Sequence, residues 1–151
     1  MTCADLLHPD SILVPLRAAD RDEAIALLVD ALPLPGGPAG RAQFKAAVLA
    51  REAAGSTGLG NGMAIPHARS QDISAPALAA GLAAKPIDFN SADGKPVTVV
   101  FLLAVPAADP KSHLAVLAAL SRMALDKKLL RRLNHAASPE ELRALLAGLP
   151  V

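Results

Sequence analysis

Between Gly55 and His67 the chain reads G-S-T-G-L-G-N-G-M-A-I-P-H, with glycines at 55, 58, 60 and 62 leading to a histidine directly behind a proline. Glycine lets backbone N–H groups approach an anion without a Cβ in the way. Pro66 fixes its own φ and biases Ile65 toward an extended conformation, so His67 leaves the backbone in a restricted direction. Residues of these types in this order could hold a phosphate beside a nucleophile. A glycine-rich turn that simply joins a helix to a strand would read the same way.

Neither common nucleotide fingerprint fits. The stretch lacks the G-K-[ST] ending of a P-loop, and the segment before it reads as a helix, whereas the dinucleotide motif follows a strand. The other histidines are His8, His113 and His135. His8 lies before a proline near the terminus, and His135 closes a basic helical segment, where a surface or helix-dipole role suffices. His113 falls in the first turn expected of a helix, and only folding can bring it to His67. No H-x-x-x-H or cysteine spacing suggests zinc, so no metal is expected. A Ser-His-Asp hydrolase built on Ser56 and Asp93 lacks the G-x-S-x-G elbow.

Composition narrows the class. At 151 residues and 15.4 kDa the chain is expected to form one domain spanning 1–151. Its hydrophobic fraction of 52% and mean hydropathy of +0.36 owe much to alanine. No apolar run reaches the ~20 residues of a membrane helix. The amino terminus has Asp5 where an export signal would be basic, so a cytoplasmic location is expected. Cys3 is the only cysteine, which rules out an internal disulfide. A net charge of +1 and an aromatic content of 2% argue against nucleic acid as a partner. Lys127, Lys128, Arg131 and Arg132 sit on one helical stretch and read as a solvated face.

The elements that must position these residues follow from pattern. Ser11 to Leu16 reads as a short strand, with Pro15 suggesting an edge or a strand end. Asp20 caps a helix over Arg21 to Leu32, with Glu23 completing a capping box. Pro33 to Gly40 reads as a loop, and Arg41 to Ala54 as an amphipathic helix stopped by Gly55. That helix delivers Arg51 and Glu52 to the mouth of the glycine stretch. Met63 to Ile65 and Leu78 to Ala84 are strand candidates, and V-T-V-V-F-L-L-A-V, Val97 to Val105, is a buried strand. Asp93-Gly94 marks the turn before it. Helices are expected from Lys111 to about Ala124, with Leu114, Leu117, Ala118 and Met123 toward the core, over Lys127 to Asn134, and from Ser138-Pro139 onward. Helices alternating with strands imply an α/β fold: one domain with a mostly buried sheet.

The run R-E-A-A-G-S-T-G-L-G-N-G-M-A-I-P-H, Arg51 to His67, resembles the phosphorylation-site signature of enzyme IIA of the fructose/mannitol type (a type-2 IIA domain). These proteins belong to the bacterial phosphoenolpyruvate-dependent sugar phosphotransferase system (PTS). Further matches follow in order: P-I-D-F-N-S-A-D-G-K-P-V, F-L-L-A-V-P, H-L-A-V-L-A-A-L and S-P-E-E-L. With the opening S-I-L-V-P-L, the chain is most similar to the free-standing nitrogen-regulatory subgroup. Ala68-Arg69 stands where many relatives have glycine then lysine, keeping the basic charge.

The resemblance implies a mixed sheet with helices on both faces, and a phosphoryl carrier that needs no cofactor. It implies that His67 accepts phosphate from a histidine phosphocarrier protein, that His113 stabilises the phosphoryl group, and that Arg51 offers a forked donor to phosphate or partner. Backbone amides of Gly58, Gly60, Asn61 and Gly62 would supply further donors. Phosphorylation adds about −1.5 to −2 charges at one spot, enough to change which partner binds. Partners would be the phosphocarrier and regulatory targets or a IIB domain. A sugar-specific IIA that passes phosphate to a IIB cysteine, and a binding module with the fold but without transfer, are the alternatives.

Overall fold

A computed structural model describes every residue except Pro110 and Ser112. Its centre is β6 (Val97–Pro106), the strand read as buried from its run of β-branched and large apolar residues. Alternation divides its side chains between two cores. Val99, Phe101, Leu103 and Val105 enter one, and Val100, Leu102 and Ala104 enter the other. Each such Leu, Val or Phe removed from water contributes about 1.5–3 kcal/mol, which makes β6 the strand on which the others are assembled.

Around it lie β1 (Leu7–Leu16), β2 (Gly58–Gly60), β3 (Met63–Ala64), β4 (His67–Ser70) and β5 (Ala77–Ile87). The sheet order is β1-β5-β6-β3-β2, with β4 also pairing β6. β5 runs antiparallel to β6 and parallel to β1, whereas β3 and β4 run parallel to β6, so the sheet is mixed as expected. β1 is at an edge, where Pro15 has no ladder bond to lose on its open side.

Helices α1 (Arg21–Ala31) and α2 (Gly37–Ala54) cover one face, burying Ile25, Leu28, Phe44 and Val48. Helices α3 (Leu114–Ala124), α4 (Lys127–Asn134) and α5 (Pro139–Leu146) cover the other, with Val116, Leu120, Leu133 and Leu142. The caps read from sequence are present: Asp20 accepts from Glu23 N at 2.8 Å and Ser138 from Glu141 N at 3.2 Å.

Three expectations change. The expected loop Pro33 to Gly40 ends early, because α2 begins at Gly37. Pro38 sits in its first turn, where a missing N–H costs nothing. Arg41 then reaches back to accept-only carbonyls of α1's end, at 2.7 Å from Val29 O and 2.9 Å from Leu32 O. Helix α3 starts at Leu114, and Pro110 and Ser112, parts of the expected turn and helix, lie outside the described residues. Leu114 faces outward at 57% exposure, since the buried stripe runs through Val116, Ala119, Leu120 and Met123. The glycine stretch is also more regular than expected: Gly58–Gly60 pairs antiparallel with Met63–Ala64 as a hairpin.

Candidate phosphoryl site

The site is built outward from the end of α2. Glu52 in its last turn is 2% exposed, an unusual place for a charge unless it is fully hydrogen-bonded. It is: Thr57 N donates to its two oxygens at 3.0 and 3.3 Å, and Thr57 Oγ1 donates at 2.9 Å. Thr57 is thereby fixed at the start of the hairpin. Its own carbonyl accepts from Ile65 N at 3.1 Å, and the Ile65 carbonyl lies 2.9 Å from His67 Nδ1. One continuous chain of hydrogen bonds runs from Glu52 through Thr57 and Ile65 to His67.

That last contact fixes the chemistry of the ring. A carbonyl oxygen can only accept, so Nδ1 carries the proton and, in the neutral imidazole, the lone pair is on Nε2. Pro66 contributes from the other side: its carbonyl accepts from Leu103 N at 3.0 Å, which docks β4 on β6 with His67 opposite Leu103. Met63 and Ile65 point into the core beneath α3 while Ala64 and Ala68 point to the α1–α2 side, so alternation puts His67 on the α3 face.

The hairpin turn sets the level of α3. Asn61 holds φ 56° and Gly62 φ 82°, a left-handed pair suited to a tight turn. Asn61 Nδ2 donates to the Ala124 carbonyl at 2.8 Å, tying the C-terminal end of α3 to the start of β3. His67 and the helix that His113 precedes lie on the same side of the sheet. His113 precedes α3 and is half-buried; its Nδ1 is buried without a hydrogen-bond partner among the described residues. An orphaned ring nitrogen costs about 1–3 kcal/mol.

Arg51 is exposed, and its Nη1 donates to the Gly55 carbonyl at 2.7 Å, closing the C-terminal end of α2. No hydrogen bond joins Arg51, His67 and His113 to one another among the described residues. The amides of the glycine stretch correct an expectation. Gly58 N donates to Ser56 Oγ at 3.0 Å and Asn61 N to Asp93 Oδ2 at 3.1 Å, so these two donors are already committed. Asp93, holding the turn through the Lys95 and Asn61 amides, has its carboxyl pushed below the usual range by those two donors. The glycines act as the geometry of a hairpin: a Cβ at Gly58 would overlap the side chain of Ser91. Thr57 and Asp93 carry roles that sequence spacing alone did not assign, although an acid beside Arg51 at the loop's mouth was a signal for Glu52.

A half-buried histidine on a parallel strand of a mixed, doubly covered sheet, with its tautomer fixed by a carbonyl, marks a small α/β protein with one oriented ring nitrogen. The model of the family "Phosphoenolpyruvate-dependent sugar phosphotransferase system, EIIA 2" matches residues 5–148, and the chain belongs to that family. A nitrogen regulatory protein of Bradyrhizobium diazoefficiens is 33% identical over 97% of this chain and 95% of its own. A PTS system fructose-specific EIIA component of Haloferax volcanii is 36% identical over 85% of this chain and 84% of its own. Some relatives are larger: the chain spans 22% of the fructose-specific EIIABC component of Bacillus subtilis, at 31% identity over 94% of this chain. Among solved structures, the nitrogen regulatory protein IIA-Ntr from Neisseria meningitidis superposes with a TM-score of 0.86 at 30% identity, covering 95% of this chain and 97% of that one. The chain is thus a PTS IIA protein with nitrogen-regulatory relatives, and no helix among the described residues is long and apolar enough to cross a membrane.

Proposed function

We propose that His67 Nε2 accepts a phosphoryl group from the phosphohistidine of a histidine phosphocarrier protein, and that the phosphorylated and free forms act mainly as a nitrogen-type regulatory signal in the cytoplasm. The observation that carries the reading is the 2.9 Å contact of His67 Nδ1 with the Ile65 carbonyl. Nε2 attacks phosphorus as the donor's N–P bond breaks, so one N–P bond forms and one is lost. The ring becomes more positive as it is phosphorylated, and the charge is shared with Nδ1–H. Its bond to the Ile65 carbonyl then strengthens, because a charged donor bonds more tightly than a neutral one.

Transfer through a loose transition state rests on position and on charge stabilisation at the equatorial oxygens. His113 and Arg51 are the proposed donors to those oxygens, with Arg51 turning from Gly55 toward phosphate or partner. The hairpin of Gly58, Gly60, Asn61 and Gly62 supports the site by holding strand and helix in register. Incubation with phosphoenolpyruvate, enzyme I and a phosphocarrier should label the chain, and His67→Ala should abolish the label. Undiminished label in that variant overturns the assignment. The fructose-specific relative supports a second reading, in which the phosphoryl group passes on to a IIB cysteine. Rapid transfer to a fructose or mannitol IIB domain would favour it over a regulatory role.

A further inference from the structure

An open concavity of about 690 Å³, whose lining does not include His67, lies where the Asn61-Gly62 turn meets α4. That size falls within the roughly 300–1,000 Å³ of small-molecule sites. Its charge is one-signed: Lys95 from the loop before β6, and Lys127 and Arg131 one turn apart on α4. Among the described residues none of the three is in an ion pair, the two such pairs being His8–Asp10 and Arg21–Asp22. The nearest acids are occupied. Asp93 accepts from the amides of Asn61 and Lys95, and Asp126 caps α4 by accepting from Leu129 N at 3.0 Å.

The remaining lining is not charged. Pro96 and the buried Leu130 give an apolar surface. Asn61 and Asn134 also line it, each with its side-chain NH₂ spent on a carbonyl, Ala124 at 2.8 Å and Leu130 at 2.9 Å. Their side-chain oxygens make no bond among the described residues and can accept. Three cations, an apolar surface and two acceptors suit a ligand with an anionic end and a flat, N–H-bearing body. A phosphate-only ligand would leave the acceptors and the apolar surface unused, and an extended acidic polypeptide would not need a concavity.

We propose that this groove binds a phosphorylated small molecule of nucleotide size, at a site separate from His67. Bound there, the ligand bridges the loop before β6 to α4 beside the Asn61 turn, whose side chain is tied to the end of α3. ATP without magnesium is the probe, followed by calorimetry on the whole chain at 0.15 M salt, with tripolyphosphate and polyglutamate as comparison ligands. One saturable ATP site per chain is expected, weakened at least tenfold by Lys127→Glu with Arg131→Glu, and weakened again by Lys95→Glu on a different element. All three side chains are exposed, so unchanged thermal midpoints should accompany these losses. His67→Ala should bind ATP as the parent does. Binding equal in the charge-reversed chains, binding lost with His67→Ala, tripolyphosphate matching ATP, or polyglutamate binding where ATP does not, would each overturn the proposal.

Discussion

Glu52→Ala tests the chain of hydrogen bonds that reaches His67. The substitution leaves Thr57 N–H and Thr57 Oγ1 without their acceptor, at a residue only 6% exposed. Each buried group left unsatisfied costs about 1–3 kcal/mol. Some relaxation toward water is possible at the loop, so the expected loss is about 3 kcal/mol in total. For a domain of this length, about 2–4 °C accompanies each kcal/mol, giving a thermal midpoint lower by roughly 6–12 °C. The same loosening frees Ile65, whose N–H donates to the Thr57 carbonyl and whose own carbonyl holds His67, so at a temperature where the variant is fully folded its phosphorylation rate should fall about tenfold, the effect of about 1.4 kcal/mol of lost positioning. Glu52→Gln keeps one acceptor for Thr57 N–H while its NH₂ can donate to the hydroxyl, and should retain most of both. Scanning calorimetry and a quenched-flow labelling assay read the two effects. A folded Glu52→Ala protein that is labelled at the parental rate would refute the positional role, and a midpoint within 1–2 °C of the parent would refute the energetic one.

Other outcomes follow from the same contacts. His113→Ala removes a ring whose Nδ1 is buried without a partner among the described residues, so relief of that cost offsets the lost packing and stability should fall by less than about 1 kcal/mol while the transfer rate falls about a hundredfold; equal rates would deny it a part in transfer. Asn61→Ala places a Cβ-bearing residue at φ 56° without asparagine's tolerance of that region, and breaks the 2.8 Å bond to Ala124. It should cost about 1–3 kcal/mol in denaturant titration. Asp93 has its carboxyl held below the ordinary value of 3.8 by amide donors, so its stabilising effect is complete above that pH and is lost as pH falls through the lowered value. Asp93→Asn should therefore flatten the acid limb of the stability profile below pH 4, and an unchanged limb would show that the turn owes nothing to this charge.

Much of the fold could be read from residues because local signals agreed with the tertiary result. The apolar run of β6 announced a strand buried on both faces, and Asp20 and Ser138 announced helix starts. What failed were phases and short strands. Leu114 belongs by periodicity to an apolar stripe, but α3 is rotated so that Val116 and Leu120 are inside. Gly58–Gly60 has no β propensity and becomes a strand only because Met63–Ala64 lies beside it and β6 holds the pair. At the site, His67 was visible from Pro66 and the glycines. Its tautomer was not, since that depends on where the Ile65 carbonyl points. The seating of α3 depends equally on a remote tie, Asn61 to Ala124, that no spacing encodes. Glu52 was visible as an acid at the loop's mouth, but its burial against Thr57 is a tertiary fact.

The central claim is that Nε2 of His67 is the atom that takes the phosphoryl group. Long-range ¹H–¹⁵N correlation spectra of the chain, recorded after incubation with phosphoenolpyruvate, enzyme I and a phosphocarrier, observe the bonded nitrogen directly. A single phosphohistidine is expected, at His67, with phosphorus on Nε2 and the proton kept on Nδ1. Phosphorus on Nδ1, or on the ring of His8, His113 or His135, would contradict it.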